Sequence, residues 1–125
     1  MQYVAVVTAL ALIEYIVIAT LVGRARGTYK VDAPATSGHP VFERYFRVQQ
    51  NTLEQLIVFI PSLWMFAQYV NANVAAGLGL VFVVGRALYL RAYVREPSQR
   101  GLGFLLSFAP NVILLLGSLI GAILA

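Results

Sequence analysis

The sequence of 125 residues contains no cysteine and little charge. Without cysteine the chain cannot form disulfides, supply a thiolate or ligate a metal through sulfur, so any thiol chemistry needs a thiol from another molecule. The single histidine, His39, is not accompanied by carboxylate or thiol groups in the sequence, so it does not predict a metal site. Charged residues make up 11% of the chain and hydrophobic residues 60%, whereas soluble domains are usually about 25% charged. This balance indicates a chain solvated mainly by lipid.

The net charge of +4 comes from nine Lys and Arg residues against five Asp and Glu residues. A basic surface can attract nucleic acid, anionic lipid or an acidic small molecule. Nucleic acid is excluded as the expected partner, because a phosphate-binding groove needs many cations on a water-facing surface. The apolar runs leave little surface of that kind.

Four apolar stretches remain once the charged residues are used as boundaries: residues 1–22, 53–70, 74–90 and 102–125. Each has the length, roughly 17–25 residues, that crosses about 30 Å of hydrocarbon as a helix. Lipid cannot satisfy backbone N–H and C=O groups, and runs this uniformly apolar do not suit barrel strands. We therefore predict an all-α integral membrane protein, a single domain over residues 1–125 with four transmembrane helices.

The cations lie on two of the three connections between these stretches, and the connection near residues 71–73 has none. By the positive-inside rule, the first and third connections are predicted to be cytoplasmic and both termini to lie on the opposite side. The first connection is expected to be a loop over residues 25–40. The short connections favour a bacterial inner membrane. The cations are Arg24, Arg26, Lys30, Arg44 and Arg47 around the first connection, and Arg86, Arg91, Arg95 and Arg100 around the third.

Polar residues recur at helical spacing before the second apolar stretch and at the end of the third. The second helix is predicted to begin near Phe42, and its polar side chains at positions 44, 47, 51 and 54 share one face. On the third helix, Arg86, Tyr89 and Tyr93 form a second stripe at the same membrane depth. We expect the two stripes to meet at the cytoplasmic boundary.

This combination of side chains suits a small zwitterionic ligand with several carboxylates. Guanidinium groups bind carboxylates, a glutamate binds an ammonium, and phenols orient peptide groups. Glutathione fits this description. Alternatively, these groups have only a structural role, in which Glu43 pairs with Arg47 along helix two and Arg86 pairs with Glu54 across helices two and three. Glu14, in the middle of helix one, could likewise pair with Asn111 inside the bundle.

At these residues the sequence resembles the MAPEG family, the membrane-associated proteins in eicosanoid and glutathione metabolism. The resemblance extends over nearly the whole chain and implies a homotrimer that binds glutathione between neighbouring subunits near the cytoplasmic side. It is carried by Glu43, Arg44, Arg47, Asn51 and Glu54 on helix two, by Pro34 and Gly38 in the first connection, and by Arg86, Tyr89, Tyr93, Arg95 and Arg100 around the third.

The resemblance also implies roles for individual residues. Arg100 matches the arginine that stabilises the glutathione thiolate, and is the candidate catalytic residue. The implied activity is that of a glutathione transferase or peroxidase, in which the thiolate reacts with a lipophilic electrophile or hydroperoxide dissolved in the bilayer, without a metal. The glutathione-binding positions are Arg47, Asn51, Glu54, Tyr89 and Tyr93 from one subunit, with Arg26, Gln49 and Arg100 from the adjacent one.

Two other functions are open from the sequence. The family contains a non-catalytic branch, the lipoxygenase-activating protein, so the chain could be a lipid-binding scaffold; that branch lacks the arginine and glutamate that match Arg47 and Glu54. A small channel subunit is the third possibility, with Glu14 and Arg86 lining a path. Gln55 departs from the leukotriene-forming synthases of the family, which carry a tyrosine there that contacts glutathione.

Overall fold

Four long helices make up the chain in the computed structural model, which describes all of residues 1–125. They are α1 (Gln2–Tyr29), α2 (Pro40–Tyr69), α3 (Ala72–Arg95) and α4 (Gly101–Leu124), and a 3-10 turn at Pro97–Gln99 joins α3 to α4. There is no strand. The predicted all-α architecture of four helices is confirmed.

Three of the helices, α1, α3 and α4, are long and apolar enough to cross a membrane. Their large apolar side chains face outward, for example Ile13, Ile16 and Ile123, which are more than half exposed. Outward apolar side chains on long helices are expected where the surroundings are lipid rather than water. Helix α2 is less apolar, because glutamate and amide side chains continue into its middle; that it also spans the membrane stays a prediction.

The first connection is shorter than predicted, because α1 continues past the apolar run to Tyr29. Arg26 therefore lies on the helix and not in the loop. The helix ends at Lys30, which adopts the left-handed conformation with φ of 57°. Two buried residues of the last turns, Val22 and Ala25, pack against Val31 and Phe42, and this contact stabilises the extension.

Helix α2 begins at Pro40, two residues before the predicted start. Proline suits a first helical position, since its φ is already helical and its missing N–H would have had no partner there. The His39 side chain caps the helix by accepting a hydrogen bond from the Val41 N–H at 3.1 Å. His39 also stacks on Tyr29, with ring centroids 4.2 Å apart.

Consecutive helices run antiparallel, and α1 and α4 each pack against both α2 and α3. The start of α2 meets the end of α3, where the Arg44 guanidinium donates to the Val94 carbonyl at 3.1 Å. The main apolar core lies nearer the other end, around Phe59 and Phe82, whose rings stack 3.9 Å apart. The two cation-bearing connections therefore share one end of the bundle, and their cytoplasmic location stays a prediction.

Glycines let α3 and α4 approach closely at the end that carries these connections. A Cβ at Gly85 would lie 2.7 Å from the Leu106 carbonyl carbon, and a Cβ at Gly103 would overlap the backbone of Tyr89. No side chain fits at either contact. Small residues commonly permit such close approach between helices in lipid. The contact holds the first turns of α4 beside Tyr89.

We predict that Gly85→Ala lowers the free energy of unfolding by about 1–3 kcal/mol, because the added methyl forces the two helices apart. Gly77→Ala on the same helix is the matched control, since nothing lies within 4 Å of its Cβ position. The measurement is denaturation by dodecyl sulphate in mixed micelles, followed by circular dichroism. Equal stability of the two variants would contradict the close packing.

Candidate functional site

A cleft of about 470 Å³ opens at the end of the bundle where α3 passes into α4. Helix α2 forms one side and α3 the other, and the first residues of α4 complete it. Five of its six lining residues carry a polar or charged group and two of these are arginines, so the cleft suits an anionic or zwitterionic ligand. The lining residues are Arg47, Asn51, Tyr89, Tyr93, Arg100 and Phe104.

The α2 side of the cleft carries the polar stripe that the spacing predicts. Asn51 is buried one turn after Arg47, and Glu54 follows in the next turn. Arg47 Nη1 lies 3.6 Å from Glu54 Oε1, and both side chains are more than half exposed. The predicted pairing of Glu54 with Arg86 is wrong, because Arg86 Nη2 lies deeper and donates instead to Asn51 Oδ1 at 2.8 Å.

Aromatic rings form the wall on the α3 side. Tyr89 is buried and stacks on the half-buried Tyr93, with centroids 5.4 Å apart. Phe104 of α4 approaches Tyr89 at 6.4 Å in a tilted arrangement. Sequence reasoning did not identify Phe104 as a site residue, because its side chain has no polar group. Only its position one helical turn after Arg100 could have indicated that it lines the cleft.

Positive charge converges on the cleft from three helices. The charges of Arg86, Arg47 and Arg100 all act on the Tyr89 phenol. Arg100 is the N-cap residue of α4, and no side chain caps the free N–H groups of the first turn. Helix N-termini attract anions through these groups. Arg100 Nη1 donates to the Pro97 carbonyl at 2.8 Å, so the short turn between α3 and α4 orients the side chain.

Arg100 lies in the cleft of its own chain. The resemblance implied that the adjacent subunit supplies it, but the connection from α3 to α4 is only a few residues long and returns the chain directly to the start of α4. One chain therefore brings together six of the eight predicted site residues. These are Arg47, Asn51, Tyr89, Tyr93 and Arg100, which line the cleft, and Glu54, which pairs with Arg47.

The other two predicted residues, Arg26 and Gln49, do not line this cleft. Arg26 Nη1 donates to the Ala35 carbonyl at 2.8 Å, and its guanidinium lies 4.9 Å from the centre of the Phe42 ring. Gln49 Nε2 lies 3.5 Å from the Tyr15 hydroxyl. Both are therefore on the α1 side of α2, facing away from the cleft.

Gln55, which departs from the leukotriene-forming synthases, binds α4 and does not line the cleft. Asn111 Nδ2 donates to Gln55 Oε1 at 2.9 Å and to the Gln55 carbonyl at 3.2 Å. The side-chain amide of Asn111 is thus hydrogen-bonded to α2, and the predicted pairing of Asn111 with Glu14 is wrong. The two residues close the polar end of a separate, mainly apolar groove that includes Val58 and Phe108.

Comparison with known sequences gives one family. The sequence profile of the MAPEG family matches residues 4–120. Among similar proteins, an uncharacterised protein of Synechocystis is 47% identical over 116 residues, which are 93% of this chain and 85% of that protein. Human microsomal glutathione S-transferase 2 is 44% identical over 119 residues, 95% of this chain and 79% of that protein. Rat leukotriene C4 synthase is 38% identical over 76 residues, which are 61% of this chain and 51% of that protein.

Proposed function

Because the chain belongs to the MAPEG family, we propose that it is a membrane glutathione transferase. In this function the thiolate of glutathione reacts with a lipophilic electrophile or hydroperoxide. The observation that carries the proposal is the single cleft lined by Arg47, Asn51, Tyr89, Tyr93 and Arg100. The human relative named as a glutathione transferase supports it, since it is similar over 95% of this chain.

The charges beside the cleft complement those of glutathione, which has two carboxylates and one ammonium. Arg47 offers a guanidinium to a carboxylate, and Glu54 offers a carboxylate to the ammonium. Both side chains are exposed where they meet, so a ligand can reach them. Asn51, Tyr89 and Tyr93 supply neutral hydrogen-bonding groups for the peptide bonds.

Arg100 is the proposed catalytic residue. A free thiol has a pKa of about 8.5 and is mostly protonated at pH 7. A guanidinium and the free N–H groups at a helix N-terminus both favour the thiolate and so lower that pKa. The thiolate then attacks an electrophilic carbon, forms the C–S bond and displaces the leaving group. With a hydroperoxide, two glutathione molecules are oxidised to the disulfide, and the peroxide is reduced to an alcohol and water.

The lipophilic substrate is proposed to approach from the bilayer along α2 and α4. The apolar groove of about 280 Å³ between these helices is lined in part by Phe108. Phe108 stacks on Phe104 of the cleft, with centroids 5.4 Å apart. This pair of rings connects a lipid-facing groove to the polar cleft on the same side of the bundle.

We further propose that the protein is a homotrimer whose subunits share each site. Arg26 and Gln49 lie away from the cleft of their own chain, as expected if they serve the cleft of a neighbour. The first and third connections are proposed to face the cytoplasm, where glutathione is dissolved. Inner-membrane location in a bacterium is supported by the similar protein of Synechocystis.

Glutathione is expected to raise the thermal midpoint of the purified protein in detergent, because a ligand specific for the folded state stabilises it by about 2.7 kcal/mol at a hundred times its Kd. We predict that Arg47→Ala removes most of this shift, since a charge-assisted hydrogen bond contributes about 1.5–3 kcal/mol. Arg91→Ala is the matched control, an exposed arginine on the other side of α3. No shift for the unmodified protein at millimolar glutathione would overturn the proposal.

We predict that Arg100→Ala lowers the kcat for conjugation of chlorodinitrobenzene at pH 7 at least about tenfold, while glutathione still binds. The difference should narrow above about pH 9, where the thiol ionises without help. Rates from pH 6 to 10 and the ultraviolet absorbance of the bound thiolate test this. If the ratio of the unmodified rate to the Arg100→Ala rate stayed constant from pH 6 to 10, the proposed role of Arg100 in forming the thiolate would be ruled out.

If each site is shared by two subunits, two variants that are inactive alone should regain activity when their chains assemble together. When Arg26→Ala/Gln49→Ala chains and Arg100→Ala chains assemble together, some sites combine an intact cleft with an intact neighbour. Every mixed ring of three has one such site among its three, so trimers purified through both tags are expected to have roughly a third of the unmodified activity. Co-expression with two different tags, tandem purification and a conjugation assay measure this. Mixed trimers without activity would contradict the shared site.

A further inference from the structure

Arg86 lies in the interior of the bundle and is completely buried. It precedes Tyr89 by one turn of α3, and its guanidinium carbon lies 4.2 Å from the centre of the Tyr89 ring. Its Nη2 donates to Asn51 Oδ1 at 2.8 Å. The proposed function assigns no role to Arg86, although it contacts two of the residues that line the cleft.

The surroundings of Arg86 do not explain it as a stabilising residue. Its Nε and Nη1 atoms are buried without a hydrogen-bond partner, as is Oε1 of Glu14 on α1. The charges of Arg86 and Glu14 act on each other, but the only ion pair within 4 Å in the chain joins Arg47 and Glu54. Buried charges with incomplete partners usually cost stability, and an apolar side chain would pack at lower cost.

We infer that Arg86 is a positioning residue that fixes the amide of Asn51 and thereby determines what the cleft recognises. A guanidinium has five N–H donors and no acceptor, so Asn51 can face it only with Oδ1. The Asn51 Nδ2 group, which makes no hydrogen bond within the chain, is then directed toward the cleft that Asn51 lines. The cleft therefore presents a donor at this point and selects an oxygen acceptor on the ligand.

The inference rests on the proposed function, and it specifies one contact between the cleft and glutathione. On glutathione, the acceptor is a carboxylate or peptide oxygen. The Arg86 guanidinium also covers one face of Tyr89, and cation–π contact of this kind holds the ring in place. Arg86 thus sets the orientation of two cleft residues from the interior, without itself lining the cleft.

The first test is Glu14→Gln/Arg86→Met, which removes the buried guanidinium together with the carboxyl group of Glu14 and frees the Asn51 amide to rotate. We expect the KM for glutathione to rise at least about tenfold, as on loss of a hydrogen bond to a charged group. The KM for chlorodinitrobenzene should stay within about twofold, because the groove proposed for the lipophilic substrate does not include Asn51. A purely structural role would lower kcat and the thermal midpoint without separating the two KM values, and that result would overturn the inference.

Asn51→Asp keeps the inference testable if the double variant fails to fold. One carboxylate oxygen can still accept from Arg86, so the thermal midpoint should be at or above that of the unmodified protein. The second oxygen turns the donor at the cleft into an acceptor, and the KM for glutathione should again rise at least about tenfold. Thr52→Val is the matched control, since the adjacent Thr52 hydroxyl is buried without a partner, and it should leave the KM unchanged.

Titration of the unmodified protein with glutathione separates the two possible failures. If the unmodified protein binds no glutathione, the proposed function is wrong and the inference falls with it. If it binds glutathione and Asn51→Asp binds equally well, the proposed function stands and only the assigned donor is wrong.

Discussion

The constraint on which this structure depends is that lipid has no hydrogen-bonding groups. Backbone polar groups must be satisfied within helices, and polar side chains must either reach the membrane boundary or find partners inside the bundle. Both solutions appear in this chain. Arg47 and Arg100 lie toward the end of the bundle that carries the cation-bearing connections, and Glu54 is exposed beside Arg47, whereas Arg86 and Asn51 are bonded to each other in the interior. The candidate site is the place where these two sets meet.

Much of the fold follows from the sequence because length and hydropathy alone decide it. Four apolar runs predict four helices, and helical spacing predicts that Arg47, Asn51 and Glu54 share a face. The ends of α1 and α2 could not be predicted in the same way. Arg26 near the end of α1 looks like a loop residue, yet the contact of Val22 and Ala25 with Phe42 extends the helix. That contact depends on how two helices pack, which periodicity does not report.

The pairings inside the bundle are the part that sequence reasoning missed. The structural alternative pairs Arg86 with Glu54 and Glu14 with Asn111, because opposite or polar groups at similar depth are natural partners. The partner of a buried side chain depends on the rotation of each helix about its axis. Here α3 directs Arg86 toward Asn51, and α4 directs Asn111 toward Gln55. The close approach at Gly85 and Gly103 sets the distance between α3 and α4, and a glycine in a sequence does not state which helix it faces.

The exposed and buried charges of the site are suited to different tasks. The Arg47–Glu54 pair is exposed and 3.6 Å apart, and surface pairs of this kind contribute only about 0–1 kcal/mol. A zwitterionic ligand can separate it at little cost, because each charge then gains an opposite partner on the ligand. The Arg86–Asn51 bond is buried and short, so breaking it would leave the guanidinium without a hydrogen-bond partner in the bundle interior. In the proposed function, an adjustable pair at the mouth and a fixed pair beneath it would allow the cleft to accept a charged tripeptide and still hold it in one orientation.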